Sequence, residues 1–218
     1  MIFPFILGTI FASFFGLVIE RFPEKSIITP RSHCTNCQTN LAWFDLIPIL
    51  SQLSTLSHCR YCKHKIPYWY FYYELFLGIL FVLTYTRLLS LTDLLLLTLG
   101  SILAIYDLKS QSYPLIIWLI FTIPLLLSNP LNKLFFLFII LSLLAFFKKL
   151  NIGEGDFLYL ASLSYTFNLF DLAFLIQIAS LIGITHFLFR KTKNKSIPFI
   201  PHLFISYIII LFIQSLLQ

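Results

Sequence analysis

Apolar residues in this chain come in long unbroken runs separated by short polar breaks, not at the 3.6-residue spacing of helices lying on a soluble core. A membrane helix needs about 20 mostly apolar residues. The runs predict spans near 1–19, 69–87, 91–108, 113–128, 133–147, 156–169, 171–189 and 198–217. The fifth and sixth are short. The sixth also carries Ser162, Ser164, Thr166 and Asn168, which makes it a re-entrant half-hairpin or a helix shielded by its neighbours. The pattern divides the chain into a first transmembrane helix (1–19), a polar loop (20–68) and a membrane core (69–218). The predicted fold class is an all-α polytopic membrane protein of about eight transmembrane helices.

Composition supports that pattern. With 59% hydrophobic and 11% charged residues among 218, the chain lacks the polar surface of a soluble globule. The net charge of +6 raises the question of nucleic acid, but the cations sit in loops and form no basic, aromatic-interleaved face, so nucleic-acid binding is not expected. No Lys or Arg precedes the first apolar run, and 1–19 therefore reads as a retained helix and not a secretory signal.

Short cytoplasmic loops hold the excess of Lys and Arg. With 20–68 inside, the inner side holds Arg21, Lys25, Arg31, Arg60, Lys63, Lys65, Lys109, Lys148, Lys149, Arg190, Lys191, Lys193 and Lys195, and the outer side holds Arg87 and Lys133. The expected orientation is both termini outside, in a multi-pass cell-membrane protein, with Arg190 to Lys195 as an inner loop facing membrane lipid. Span three then runs inward to end near Asp107, and span six starts inside at Asp156, so both carboxylates reach the cytosolic membrane face.

A carboxylate near lipid costs about 2.5–3.5 kcal/mol at a bilayer centre on insertion scales, and usually faces a partner or a watery cavity. Two that meet share a proton: the ionised member takes a proton from water while the protonated one polarises a carbonyl, which is amide hydrolysis without a covalent intermediate. Gly153 and Gly155 frame Glu154 just before Asp156 and permit a close backbone approach or a sharp turn. On spacing alone, Asp156 as a helix start and Asp107 as an interfacial residue fit equally well.

Cys34-Thr35-Asn36-Cys37 and Cys59-Arg60-Tyr61-Cys62 use every cysteine as two C-x-x-C knuckles, the spacing of a zinc-ribbon-like loop. Disulfides or redox thiols are the competing reading, disfavoured in a reducing compartment. Four thiolates at Cys34, Cys37, Cys59 and Cys62 close the coordination shell, so the zinc is expected to be structural. His33, His58 and His64 crowd the knuckles and read as solvated loop residues. Glu74 lies inside span two and needs a partner such as Arg21 or a cytosolic cavity, while Trp43, Trp69 and Trp118 read as interface anchors or packing, and His186 as a packed or interfacial histidine.

Together these features resemble the type IV prepilin peptidase family: an apolar first span, a cytosolic loop with two C-x-x-C pairs, a first aspartate ending a span, then G-x-G-D. The segments from Phe14 to Pro23, from Asp45 to Ser51 and from Ile197 to Pro201 resemble the family's opening, its inter-knuckle segment and its P-F-G-P stretch. The resemblance implies a membrane aspartic endopeptidase that removes the basic leader of prepilins or pseudopilins after a glycine, at the cytosolic face, with Asp107 and Asp156 catalytic. It also implies, for many members, methylation of the new N-terminus using S-adenosylmethionine. Size and composition resemble the Gram-positive competence branch. The chain departs from the family at Leu158, at Tyr113-Pro114-Leu115, at Ile200 in place of glycine and at His202. Two rivals stand beside this reading: a non-catalytic zinc-loop assembly protein, and an ion-coupled transporter.

Overall fold

The computed structural model describes residues 1–130, 132–148, 153–189 and 197–217, with side chains as far as 215. Among these the chain is all helical: α1 (Ile2–Arg21), a single 3-10 turn (Trp43–Leu46), α2 (Leu50–Thr55), α3 (Trp69–Tyr85), α4 (Leu91–Ser110), α5 (Leu115–Ser128), α6 (Lys133–Lys148), α7 (Glu154–Leu163), α8 (Leu169–Phe189) and α9 (Ile200–Leu217). No strand forms among the described residues. Three helices, α1, α4 and α8, are long and apolar enough to cross a membrane by length and composition.

Each apolar run contains one helix, and the largest difference lies at α7. It has 10 residues, about 15 Å at 1.5 Å per residue, half the hydrocarbon thickness. The polar residues placed in its second half do other work. Thr166 and Phe167 N–H close the last turn on the Leu163 carbonyl, and Asn168 Oδ1 accepts from Phe170 and Asp171 N–H as the N-cap of α8. The basic run from Arg190 to Lys195 lies outside the described residues, as does Lys149.

The chain divides into two compact units, Met1–Leu94 and Leu95–Gln218. In the first, α1 packs along α3 closely enough that a Cβ on Gly8 would stand 2.6 Å from the Leu77 carbonyl oxygen, so only glycine permits the contact. Glu74, buried on α3, does not pair with Arg21. Its Oε2 accepts from Ile49 N–H at 2.7 Å, and it shares a hydrogen bond with Ser13 of α1, while Arg21 donates to the carbonyls of Pro30 and Arg31. Ile49 is the centre of a γ-turn, with φ 62° and ψ −55° and Leu50 N–H on the Pro48 carbonyl at 2.6 Å. That conformation is strained for a β-branched residue, and the buried carboxylate holds its amide.

In the second unit α6 and α5 pack against α7, and α8 against α9. The core around α7 is polar as well as apolar: Trp118 Nε1–H donates to the Leu158 carbonyl at 2.8 Å and to Ser162 Oγ at 2.9 Å. Trp118 is thus a buried clamp from α5 to α7. Trp43 is exposed, and Trp69 stacks on Tyr70 at 3.9 Å.

Candidate active site and cysteine centre

Asp107 lies in the last turns of α4 and is buried, 8% exposed. Its Oδ2 accepts from Ile200 N–H at 3.1 Å, the first residue of α9, so the start of a helix, whose free N–H groups favour an anion, meets this carboxylate. Asp156 sits in the first turn of α7, half-buried. The two carboxylates lie near enough for a direct charge interaction. Both belong to the second unit, and the fold brings together residues 49 positions apart in sequence (156 minus 107).

Against the start of α7 stands a residue that the sequence marks only as a departure from the family pattern. Tyr113, on the α4–α5 connection, feels the charges of Asp156, Asp107 and Glu154. Its hydroxyl donates to the Gly155 carbonyl at 2.9 Å. A Cβ on Gly155 would stand 2.6 Å from Tyr113 Cε1 and 3.0 Å from its hydroxyl oxygen. The close approach that glycine permits here is therefore by the chain's own tyrosine. Gly153 is the N-cap of α7 with an ordinary φ of −62°. The missing signal was lateral: nothing in a Tyr-Pro dipeptide announces a partner 42 residues away.

The four cysteines converge in the first unit. Cys34 and Cys62 sulfurs are 3.7 Å apart, Cys37 and Cys59 4.0 Å, and all four lie within 4.8 Å of one another. Tetrahedral zinc with Zn–S near 2.3 Å requires sulfur separations of about 3.8 Å, whereas a disulfide requires about 2.05 Å. The donor set fits zinc. Each knuckle also presents backbone N–H groups to its sulfurs: Asn36 and Cys37 to Cys34, Thr39 to Cys37, and His64 to Cys62. The His64 amide and the Asn36 side chain draw the Cys62 thiol down to about 6, while burial pushes Cys34 up to about 11.

The two knuckles are copies of one hook. Cys34 N–H bonds the Thr39 carbonyl as Cys59 N–H bonds that of His64, and Leu41 N–H bonds the Ser32 carbonyl as Ile66 N–H bonds that of Ser57. Gln38 and Lys63 adopt the same left-handed φ, 58° and 59°. His33 and His58 each turn Nδ1 to the carbonyl two residues back, at 2.8 and 2.7 Å, so these rings brace their hooks. Ser-His-Cys-x-x-Cys at 32–37 and again at 57–62 carries this repeat in the sequence. Asp45 of the 3-10 turn ties in the second hook, accepting from Arg60 Nε at 2.9 Å and from the Tyr61 hydroxyl at 3.4 Å.

Comparison with known proteins places this geometry in a family. The model of the Bacterial Peptidase A24 N-terminal domain matches residues 6–88. The "Prepilin leader peptidase/N-methyltransferase" of Bacillus subtilis (strain 168) is 32% identical over 90% of this chain and 88% of its own. The chain belongs to the prepilin leader peptidase/N-methyltransferase family. The protein of the same name from Vibrio cholerae is 28% identical over 95% of this chain and 94% of its own, and that from Myxococcus xanthus is 43% identical over 37% of this chain and 24% of its own. No solved structure matches the chain. Asp156 feels the charge of Asp107, whose Oδ2 the first amide of α9 holds.

Proposed function

We propose that the protein is a membrane aspartic endopeptidase that removes the leader of prepilins or pseudopilins at the cytosolic membrane face, with Asp107 and Asp156 as the catalytic pair in the membrane core 69–218. The observation that supports the reading is that two half-buried or buried carboxylates of the second unit feel one another's charge, Asp107 held by the first amide of α9 and Asp156 in the first turn of α7 next to Gly155. The pair works with one proton. The ionised carboxylate takes a proton from water as the water oxygen bonds to the scissile carbonyl carbon, and the protonated carboxyl donates to the carbonyl oxygen. Collapse of the tetrahedral species breaks the C–N bond, with the proton returned to the leaving amine. The Ile200 N–H holds Oδ2 of Asp107 in place.

Zinc held by Cys34, Cys37, Cys59 and Cys62 closes its shell with protein ligands, so its contribution is structural: it fixes both hooks. Methylation of the new N-terminus with S-adenosylmethionine is the second activity we assign, on the relatives' names.

The test is cleavage of a prepilin N-terminal peptide by purified protein, followed by mass spectrometry. Asp107→Asn and Asp156→Asn should each abolish leader loss while remaining folded, and the double variant should be hardly worse, because residues acting as one unit are non-additive. Substantial cleavage by either single variant excludes the aspartic mechanism and favours a zinc-loop assembly role.

A further inference from the structure

His202 is buried in the first turn of α9, 4% exposed, two residues after the Ile200 amide that holds Asp107. Its Nε2 lies 3.1 Å from Nδ1 of His186, near the end of α8. The ring centroids are 5.3 Å apart, so the rings meet nearly end to end. A single shared proton needs that alignment, whereas a chelated ion needs lone pairs that converge off the axis. The other His202 nitrogen, Nδ1, is buried with no hydrogen-bond partner and lies on the side of Gly183 of α8. His202 is thus tied to α8 from the first turn of α9, next to the residue, Ile200, whose amide holds Asp107. Nothing in a leucine at 202 would do the same: an apolar residue packs there but fixes no direction.

We propose that the His186–His202 pair is a positioning device for Asp107, holding the first turn of α9 so that the Ile200 N–H stays on the carboxylate. The proposal rests on Asp107 being catalytic. Neither histidine touches the reacting atoms, and both act through the Phe199-Ile200 backbone. His202 N–H caps the Phe199 carbonyl and Leu203 N–H shares it, so a tilt of the His202 ring is passed directly to Ile200.

The pair also carries a pH signature. An N–H···N bond needs one bare nitrogen, and a second proton sets two N–H groups against each other and ends the bond. The titratable group acting on His202 from α8 is His186. From α4, Asp107 bonds the Ile200 amide two residues before His202. Phe199 and Gly183 are its further neighbours. His186 lies three residues before the end of α8. Acidification therefore frees the α9 turn, and activity should fall on the acid side for a reason separate from protonation of the aspartates.

Three variants in detergent or nanodiscs test this with a prepilin peptide across pH. His186→Leu, which cannot accept, should lower kcat about tenfold, the effect of one lost hydrogen bond near its upper range, with KM changed less than about twofold on the rule for a purely transition-state effect. His186→Gln, whose amide oxygen accepts at every pH, should restore kcat and keep it at acid pH where the native enzyme falls. Wild-type kcat in His186→Leu, or an identical acid limb in the native protein and His186→Gln, overturns the proposal. Should His186→Leu fail to insert, the pH comparison with His186→Gln alone decides. Asp107→Asn separates the two readings: if it cleaves, the catalytic assignment has failed, and if it is inactive while the histidine variants match the native enzyme, only this inference has.

Discussion

The Tyr113 hydroxyl is the residue-scale lever on Asp156. Tyr113→Phe deletes one neutral hydrogen bond, about 0.5–1.5 kcal/mol, and should slow peptide cleavage about two- to tenfold. Gly155→Ala should do more harm, because its methyl group meets the tyrosine ring at 2.6 Å. Adding Tyr113→Leu to that alanine should recover part of the rate, and a double variant no better than Gly155→Ala alone would contradict the contact. The acids and cysteines were legible because their residue types are costly or rare where they sit. Tyr113 was not, since an aromatic residue beside proline at an interface looks like ordinary packing. Glu74 was legible as a residue in need of a partner, but the partner is a backbone amide, and an amide leaves no trace in a sequence.

Among the elements, hydropathy located every long helix to within a few residues, since burial in lipid or protein imposes the same apolar runs on both. It overran at α7, where Asn168 belongs to the next helix as its cap. It also passed over the 3-10 turn and α2, too short and too exposed to leave a period. The α5–α7 contact gives a prediction. Trp118→Phe removes the donor shared by the Leu158 carbonyl and Ser162 Oγ and should lower resistance to unfolding by about 1–3 kcal/mol, the cost of stranded buried acceptors. Unfolding in a graded detergent series should show it, and cleavage should fall in proportion. An unchanged unfolding midpoint would mean that α7 is held by its apolar contacts alone.

For the whole molecule, the proposed orientation rests on the thirteen cations it puts inside and the two it puts outside. An impermeant thiol reagent applied to intact cells should label cysteines introduced at Ser90 and Phe170 and spare one introduced at Lys193. Labelling at 193 would reverse the topology and move the aspartates to the opposite face. Metal analysis should return about one zinc per chain, from the closed four-thiolate shell, and Cys37→Ser should expose 20–68 to protease. A metal-free preparation with full activity and an intact loop would exclude an obligatory ion.

The duplicated hook has a thermodynamic corollary. Each copy supplies two ligands, so neither half closes a shell alone, and the segment joining them, with Trp43, Leu46, Leu50, Leu53 and Leu56 exposed, buries little to hold itself in place. With zinc as the proposed ligand, its order would be set from outside the protein, by the activity of the free metal. With metal in excess, each tenfold fall in that activity removes about 1.4 kcal/mol of the free energy that favours the closed form. The strained amide of Ile49 and the buried Glu74 beneath it sit at the end of that linkage. A cell short of zinc would therefore loosen this contact on α3 gradually, as a continuous function of supply.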